Sequence, residues 1–426
     1  MAAVYVPGSM KPSPAEPPRA GDAGAPLDIV IVEFLPSGGM FQFSFQFGQA
    51  LAQSGHRVRL LTGPRPELAA ATPDFDVLPA LPTWHPNADP GGSPLRRKAR
   101  RLRRALLLVE SWRRVLVFVR RNRPDVVQFG ELRYPLDSAA LLAVARFGKA
   151  AVVVDTAHNP VPYDVTGRNR SVEKTGRLSR ELLARAYAAC GLVLVLGEGP
   201  RKDLLAAFPR VRRAVVCGHG DYASVLAAEG MSPPSAAPSG LLFFGAWTKY
   251  KNLPLLLDAF ALLRKQLPEA RLTLAGPVMP DVDEAAVRER AAGVGNVELR
   301  PGYVPMGELP RLFGAHRAVV FPYNTVNISG SVHMAYTFGR PVVATDVGSM
   351  SDAVRDGETG LLAAPDAAAV ADAMLRILQD PALADRLGQE AGRHAREAAS
   401  WAGVAGKAVA GYREALQGAR PVRFTR

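Results

Sequence analysis

The sequence has little cysteine and no long apolar segment. Its 426 residues include only two cysteines, Cys190 and Cys217, too few for a disulfide framework or a cysteine-based metal cluster. No apolar run reaches the roughly 18–20 residues of a membrane-spanning helix, and the first residues lack the core of a signal peptide. We therefore expect a cytoplasmic protein.

Aromatic residues are also scarce, at 7% of the chain, whereas apolar residues as a whole reach 48%. This composition and length suit two globular domains of roughly 200 residues each. Residues 1–26 are rich in Pro, Ala and Gly and are predicted to form a disordered tail. The Pro- and Ser-rich stretch at 231–240 predicts an interdomain linker.

Short apolar runs alternate with helical patterns on both sides of that linker. This alternation predicts parallel sheets with helices on both faces. We expect an α/β fold with two doubly wound, Rossmann-like domains at 27–230 and 241–398, which face each other across a cleft, and a C-terminal helix at 399–426 that crosses back to the first domain. The predicted strands lie at 28–33, 56–62, 124–130, 151–158, 192–197, 214–220, 241–246, 271–276, 296–302, 318–323, 341–345 and 359–364.

A Ser-Gly-Ser turn at 329–331 follows an apolar strand and opens a helix, in the stretch NTVNISGSVHMA. Helix N-termini carry free N–H groups and a partial positive charge, so they bind anions. The simpler alternative is an ordinary helix cap, because serine is favoured at that position in any helix.

The ordered series FFGAWTKYKNLPLLLDAF, LTLAGP, GYVPMGELPRLFGAHRAVVFPY, GRPVVATDVGSMSDAV and DGETGLL resembles the GT-B-fold retaining glycosyltransferases of the group 1 type. In the first half, GHRVRLLT, PDVVQFG and DTAHNPVPYD match more loosely. The resemblance implies a metal-independent hexosyltransferase that takes a nucleotide-diphosphate sugar as donor substrate and needs no cofactor. The acceptor stays open.

The resemblance also implies site residues. Lys251 and His158 become the catalytic candidates: Lys251 would contact the donor phosphate, and His158 would contact the transferring sugar or the acceptor. His219 is a weaker cleft candidate. The donor-binding candidates are Gly38, Gly39, Thr248, Lys249, Lys251, Tyr303, Val304, Ser329, Gly330, Ser331 and His333. A tight turn at Gly38-Gly39, a solvated Lys249 and structural roles for the histidines are the alternatives.

Two departures from the family pattern concern the donor. Many relatives carry two glutamates where this chain has Val326 and Met334, so it resembles the subset with a Ser-Gly turn instead. The arginine usually found before the phosphate-binding lysine is missing, and Lys249 is the candidate substitute, although lysine cannot copy a bidentate guanidinium. The donor's identity therefore does not carry over.

An Asp-Val-Asp sequence at 281–283 invites a metal assignment. It directly precedes a helical pattern, so we interpret it as helix capping and predict no metal site. No nucleophile pair for a double displacement is evident. By resemblance, the leaving group departs on the face that the acceptor attacks, and the donor phosphate accepts the proton.

Positive charge is concentrated in one predicted helix at 95–121. Between residues 96 and 123, eleven arginines and one lysine stand against a single acid, Glu110, which accounts for most of the net charge of +13. Leu95, Leu102, Leu106, Val109 and Leu116 share one apolar stripe, and the basic line comprises Arg96, Arg100, Arg103, Arg114 and Arg121.

Three interpretations of this helix remain open. Its apolar stripe could dock on its own sheet, or the helix could bind an anionic membrane surface and make the protein peripheral. Nucleic acid is disfavoured because no aromatic residues interleave the arginines. For the whole chain, the alternatives to a transferase are a GT-B nucleotide-sugar epimerase, a phosphorylase, or a catalytically silent sugar- or membrane-binding protein.

Overall fold

The computed structural model describes residues 24–70, 72–84, 94–132, 134–160, 176–223, 240–326, 329–397 and 399–418. Most of the predicted tail and of the predicted linker lies outside these ranges. The strands are β1 Asp28–Val32, β2 Arg57–Leu61, β3 Phe75–Leu78, β4 Val126–Phe129, β5 Val152–Ala157, β6 Leu192–Val195, β7 Ala214–Val216, β8 Gly240–Phe244, β9 Arg271–Gly276, β10 Val297–Pro301, β11 His316–Phe321, β12 Val342–Thr345 and β13 Gly360–Ala363.

The helices are numbered in chain order over the same ranges. They are α1 Gly39–Gln53, α2 Pro94–Asn122, α3 Pro135–Phe147, α4 Arg177–Ala189, α5 Glu198–Ala207, α6 Leu253–Gln266, α7 Glu284–Val294, α8 Leu309–Gly314, α9 Gly330–Thr337, α10 Met350–Ala353, α11 Ala367–Gln379, α12 Pro381–Glu397 and α13 Trp401–Gly418, with short 3₁₀ turns at Lys249–Lys251 and Met306–Glu308.

The strands form two parallel sheets, as the α/β prediction requires. The N-terminal sheet has the order β3-β2-β1-β4-β5-β6-β7, and the C-terminal sheet has the order β10-β9-β8-β11-β12-β13. In each sheet the order reverses beside its first strand, which is where doubly wound folds bind ligands, beyond the carboxyl ends of the strands. The prediction missed β3, a four-residue edge strand in which only Phe75 is buried.

Both faces of the N-terminal sheet are covered, because successive side chains of a strand point to opposite faces. In β1, Ile29 and Ile31 pack in one apolar cluster together with α1 and with Trp401 and Tyr412 of α13. Val30 and Val32 pack in a second cluster, on the side of α2. Helix α13 therefore belongs to the N-terminal domain, although it follows the whole C-terminal domain in sequence.

Helix α2 is buried through a different face from the one that its leucines suggest. Leu108, Trp112, Val115 and Val119 pack on the sheet. The predicted stripe instead faces outward: Leu102 is 64% exposed, Leu106 63% and Val109 51%. The interpretation that this stripe docks on the protein's own sheet is wrong for these three residues, because Trp112 and the valines supply the buried face. Within the described residues, no helix has the length and apolar character needed to cross a bilayer.

Candidate functional site

Lys251 lies in the 3₁₀ turn Lys249–Lys251, beyond the carboxyl end of β8. Its side chain is buried, and Nζ lies 5.5 Å from the centre of the Tyr323 ring and 6.0 Å from that of Phe243. Burial lowers the pKa of the Lys251 ammonium from 10.5 to about 8. No carboxylate in the described part of the chain forms an ion pair with it. A buried cation of this kind is stabilised by a bound anion.

Ser331 and Gly245 complete the immediate surroundings of Lys251. Gly245 has a φ of +134°, and a Cβ atom built there would clash with Lys251 Nζ and lie 3.1 Å from Ser331 Oγ. A side chain at residue 245 would therefore occupy the space that the ammonium and the serine hydroxyl share. The glycine therefore lets the Lys251 ammonium lie close to the backbone and beside the Ser331 hydroxyl.

Helix α9 begins at Gly330, directly after Ser329. The Ser329 side chain is buried but does not cap the helix; instead its Oγ lies 3.4 Å from the Tyr323 hydroxyl. The interpretation of Ser329 as an ordinary side-chain cap is therefore wrong. In the first turn of α9, the Val332 N–H donates to the Ser329 carbonyl at 3.0 Å, which leaves the N–H groups of Gly330 and Ser331 for an anion.

Two histidines stack on the side of α9 that faces the N-terminal domain. His219 and His333 lie with ring centres 4.7 Å apart and an interplanar angle of 9°. Burial lowers the pKa of His219 to about 4 and that of His333 well below 6.5. Both imidazoles are therefore neutral near pH 7, and the stack adds no positive charge beside the helix start.

The N-terminal domain reaches the start of α9 through His219 and Tyr222. A Cβ built at Gly330 would lie 3.0 Å from the Tyr222 hydroxyl and 3.2 Å from His219 Nε2. His158, at the end of β5, contacts the Phe43 ring at 4.8 Å, and the same ring lies 5.3 Å from His219. Phe43 thus contacts both His158 and His219, and His219 connects this group to the start of α9.

The turn before α1 contacts the C-terminal domain through a hydrogen-bonded group. Gly38 has a φ of +87°, and its N–H donates to Glu67 Oε2 at 3.1 Å; Gly39 is exposed. The Tyr303 hydroxyl donates to Glu67 Oε1, and Gln42 Nε2 lies 3.4 Å from the same hydroxyl. Burial, followed by the hydrogen bond to Glu67, raises the pKa of Tyr303. Val304 is half-buried against the C-terminal core.

Lys249 is placed apart from Lys251. Its side chain is exposed, and its backbone N–H donates to Asp281 Oδ2 at 3.0 Å; Thr248 precedes the turn in extended conformation and is half-buried. Asp283 caps helix α7, accepting from the N–H groups of residues 285 and 286. Asp281 and Asp283 therefore both accept hydrogen bonds from backbone N–H groups, as the capping interpretation predicts.

Val326 and Met334 are both buried in the C-terminal core, with exposures of 4% each. The positions where relatives carry glutamates are thus closed to solvent here. In the described ranges, no group of three or more His, Cys, Asp or Glu side chains is arranged to hold a metal ion.

Sequence reasoning did not identify Gln42, Glu67, Tyr222, Gly245 or Tyr323 as site residues. Gly245 stands in the quoted LLFFGA run, where a glycine at the end of a strand is a usable signal. Glu67 and Gln42 carry no local pattern, because their roles arise from contacts with Tyr303, more than 230 residues away in sequence.

The two doubly wound domains have the GT-B architecture, and Lys251 and the start of α9 lie beyond the carboxyl ends of strands in the C-terminal sheet. Residues 37–220 match the family model described as Glycosyltransferase Family 4, and residues 238–380 match the one described as Glycosyl transferases group 1. The chain therefore carries a Glycosyltransferase Family 4 domain followed by a Glycosyl transferases group 1 domain, and the two matches cover both halves of the fold.

Among curated relatives, the D-inositol 3-phosphate glycosyltransferase of Streptomyces coelicolor is 28% identical over 269 residues, covering 60% of this chain and 57% of the relative. The alpha-D-kanosaminyltransferase of Streptomyces kanamyceticus is 29% identical over 160 residues, covering 35% of this chain and 39% of the relative. The matched segments thus cover a little more than half of the first relative and less than half of the second.

Solved structures share the fold over nearly the whole chain. Sucrose-phosphate synthase from Thermosynechococcus elongatus has a TM-score of 0.68 at 20% identity, covering 92% of this chain and 99% of that structure. The Anabaena HepE protein in complex with UDP-glucose has a TM-score of 0.64 at 13% identity, covering 92% of this chain and 100% of that structure.

Proposed function

We propose that this protein is a retaining glycosyltransferase that moves a hexosyl group from a nucleotide-diphosphate sugar to an acceptor hydroxyl without a metal ion. The observation that carries the proposal is the buried, unpaired Lys251 ammonium beside Ser331 and the start of α9. A lysine, a serine hydroxyl and helix amides are the groups that bind a diphosphate.

The same groups would stabilise the departing nucleotide diphosphate. Negative charge grows on the leaving phosphate as the glycosidic bond breaks, and a pre-oriented ammonium in a water-poor site stabilises that charge more than water does. Lys251 is protonated at pH 7, since its pKa is about 8. In the retaining route, the donor phosphate itself accepts the acceptor's proton. His158, placed against Phe43, hydrogen-bonds the sugar or the acceptor hydroxyl.

The donor's sugar and ribose are recognised without the paired glutamates that many relatives carry. We assign this task to Ser329, His333 and backbone amides of α9, together with Tyr303 and Val304 near the nucleotide base. Gly38 and Gly39 leave open space on the opposite wall, where no heavy atom lies within 4 Å of a Cβ built at either residue. Lys249 points to solvent and contributes at most a long-range charge.

A small cavity of about 40 Å³, enough for only a few water molecules, lies beyond the carboxyl ends of β1 and β4, and we propose that the acceptor approaches the cleft at its rim. Glu33, Thr83, Trp84, Glu131 and Tyr134 are among its lining residues. Carboxylates and an indole ring bind polyhydroxylated molecules through hydrogen bonds and stacking. Acceptors worth testing are therefore uncharged sugars and cyclitols. D-inositol 3-phosphate is added to the panel only because the name of one relative contains it.

The test is a panel of UDP-, GDP- and dTDP-sugars, scored by thermal shift and by release of free nucleotide in the presence of candidate acceptors. We expect one nucleotide class to stabilise the protein, and Lys251→Ala to abolish that stabilisation. Lys265→Ala, which removes a lysine from the far end of α6, is the matched control. A wild-type protein that no nucleotide stabilises contradicts the proposal.

The same panel separates the alternatives. A catalytically silent binding protein shows a thermal shift but releases no nucleotide with any acceptor, and an epimerase interconverts donors when no acceptor is present. The anomeric configuration of the product, read by NMR coupling constants, decides between retention and inversion.

We further propose that α2 holds the protein peripherally on an anionic membrane surface at the cytoplasmic face. Leu102, Leu106 and Val109 are exposed on one side of the helix, and Arg103 and Arg114, also exposed, flank this stripe. Basic residues near an anionic surface contribute about 1 kcal/mol each, and exposed leucines add apolar burial.

Sedimentation with phosphatidylglycerol-containing vesicles tests this surface against pure phosphatidylcholine vesicles. We expect binding only to the anionic vesicles, and we expect Leu102→Ser/Leu106→Ser to weaken it at least fivefold. Leu178→Ser, at a still more exposed leucine on α4, is the control. Equal binding by the double variant shows that charge alone acts, which contradicts insertion of the stripe.

A further inference from the structure

A cavity of about 340 Å³ lies in the C-terminal domain at the edge opposite the donor site. It forms where the turn Gly339-Arg340-Pro341, between α9 and β12, meets helix α12. Arg317, at the start of β11, lines it from the side. The cavity is therefore at the amino ends of β11 and β12, whereas Lys251 lies beyond a carboxyl end. A ligand here would not reach the proposed transfer site.

Positive charge in this cavity exceeds negative charge. Arg317, Arg340 and Arg396 line it, and Asp385 is the one acid among its lining residues. Asp385 only partly offsets them, since its oxygen lies 3.9 Å from Arg317 Nη1 and its side chain is 72% exposed. Arg340 Nε is buried and has no hydrogen-bond partner among the described residues. Burial, followed by the charge of Arg317, lowers the pKa of Arg340.

The glycines of α12 shape the cavity and admit the arginines. A Cβ at Gly388 would clash with the carbonyl oxygen of Gly339, and one at Gly392 would lie 3.6 Å from Gly339 Cα. Arg396 Nη1 lies 3.3 Å from that same built Cβ at Gly392, so its guanidinium folds back along the helix toward the turn. Close backbone approach and a folded-back arginine together leave a concave space edged by guanidinium groups.

The size and charge of the cavity indicate the ligand class. A volume of about 340 Å³ is at the lower end of the range for small-molecule sites and is far larger than a single water or ion requires. Guanidinium groups bind phosphate oxygens in paired hydrogen bonds. We propose that this cavity is a second binding site, specific for a small metabolite that carries a phosphate monoester, such as a sugar phosphate, and independent of the donor site.

The test uses isothermal titration calorimetry with glucose 6-phosphate on the Lys251→Ala protein, in which the proposed donor-phosphate site is disabled. We expect one bound ligand per chain. Inorganic phosphate should bind more weakly, and glucose should not bind, because the guanidinium groups recognise the phosphate. Arg340→Gln/Arg396→Gln should weaken binding at least tenfold, whereas Arg386→Gln, on an exposed position of the same helix outside the cavity, should leave it unchanged.

Three results would overturn the proposal: no binding of either phosphate probe, equal binding of glucose, or unchanged affinity in the double variant. If the double variant loses its cooperative thermal unfolding, the single exposed change Arg396→Gln decides, with at least a threefold weakening expected. Failure here leaves the donor panel unaffected, since that panel is measured on the wild-type protein with nucleotide sugars.

Discussion

On the C-terminal side of the cleft, a buried ammonium lies beside the start of a helix, whereas the N-terminal side presents the neutral imidazole of His219 and a carboxylate. Lys251 is the charged group of the first wall. His219 on the second wall is kept neutral by burial, and Glu67 accepts hydrogen bonds there. Under the proposed function, this difference separates two tasks: the C-terminal wall binds the departing phosphate, and the N-terminal wall positions uncharged sugar hydroxyls without competing for that phosphate.

Removing the ammonium should have the largest effect on this contrast. We expect Lys251→Ala to lower kcat by about 100- to 1,000-fold, the loss typical when one pre-oriented donor to a developing negative charge is removed. Stability should stay equal or rise, because an uncompensated buried charge is removed. Steady-state turnover and thermal unfolding measure the two effects; a variant with wild-type kcat would show that the charged wall has another purpose.

A substitution that fills the space beside the Lys251 ammonium should have the second-largest effect. Gly245→Ala introduces a Cβ that clashes with Lys251 Nζ, at a φ of +134°. We expect a stability loss of about 1–3 kcal/mol from backbone strain and a large loss of nucleotide affinity. Gly293→Ala, in helix α7 with open space around it, should be neutral or slightly stabilising. Chemical denaturation and nucleotide titration on both variants provide the comparison.

Because Lys251 loses its charge at high pH, the affinity of the C-terminal wall for a nucleotide should depend on pH. Phosphate binding needs the protonated lysine, so affinity is nearly full at pH 7 and falls as the pH rises through the pKa of about 8. We expect nucleotide affinity to fall about tenfold between pH 7 and pH 9. Lys251→Arg should flatten this dependence, because an arginine keeps its charge in that range.

The stability of the ligand-free protein should change in the opposite direction. The folded state holds the Lys251 proton less tightly than the unfolded chain does, since the pKa falls from 10.5 to about 8 on folding. The free energy of unfolding therefore gains a favourable contribution as the pH rises from 8 toward 10.5. Affinity and stability profiles with the same sign would assign the titration to another group.

Removing the hydrogen bond between Tyr303 and Glu67, which joins the two walls, should have the smallest effect. Tyr303→Phe removes the hydroxyl that donates to Glu67 across the cleft. We expect KM for the donor to rise by about three- to tenfold with little change in kcat, since one hydrogen bond contributes about 1 kcal/mol. Arg185→Gln, which removes a hydrogen bond between two exposed side chains of α4 away from the cleft, is the control. An effect on kcat alone would mean that the contact serves the chemical step.

The sequence predicted most strands because they are buried on both faces and read as continuous apolar runs, as in β5 and β6. It missed β3, where a single buried Phe75 leaves no run to recognise. The leucine stripe of α2 shows a second limit. Helical periodicity locates apolar faces, but α2 has two of them, and only tertiary packing determines that the face of Trp112 is the buried one.

For the site, motif order placed Lys251 and the Ser-Gly-Ser turn near the donor, and the structure brings both against Gly245. The partners across the cleft could not be predicted, because no local spacing relates Glu67 to Tyr303. The charge states of His219 and His333 could not be predicted from the sequence either. It depends on burial in a stack that forms only when the two domains meet.

Helix α13 has a consequence for any attempt to divide the molecule. At the crossing, the Asp221 N–H donates to the Ala399 carbonyl at 2.8 Å, and the Trp401 indole donates to the Asp221 carbonyl. Residues 24–223 on their own would thus leave bare the apolar face on which Trp401 and Tyr412 pack. Such a fragment should aggregate until a peptide spanning 401–418 is supplied. Helix α13 therefore completes the apolar core of the N-terminal domain.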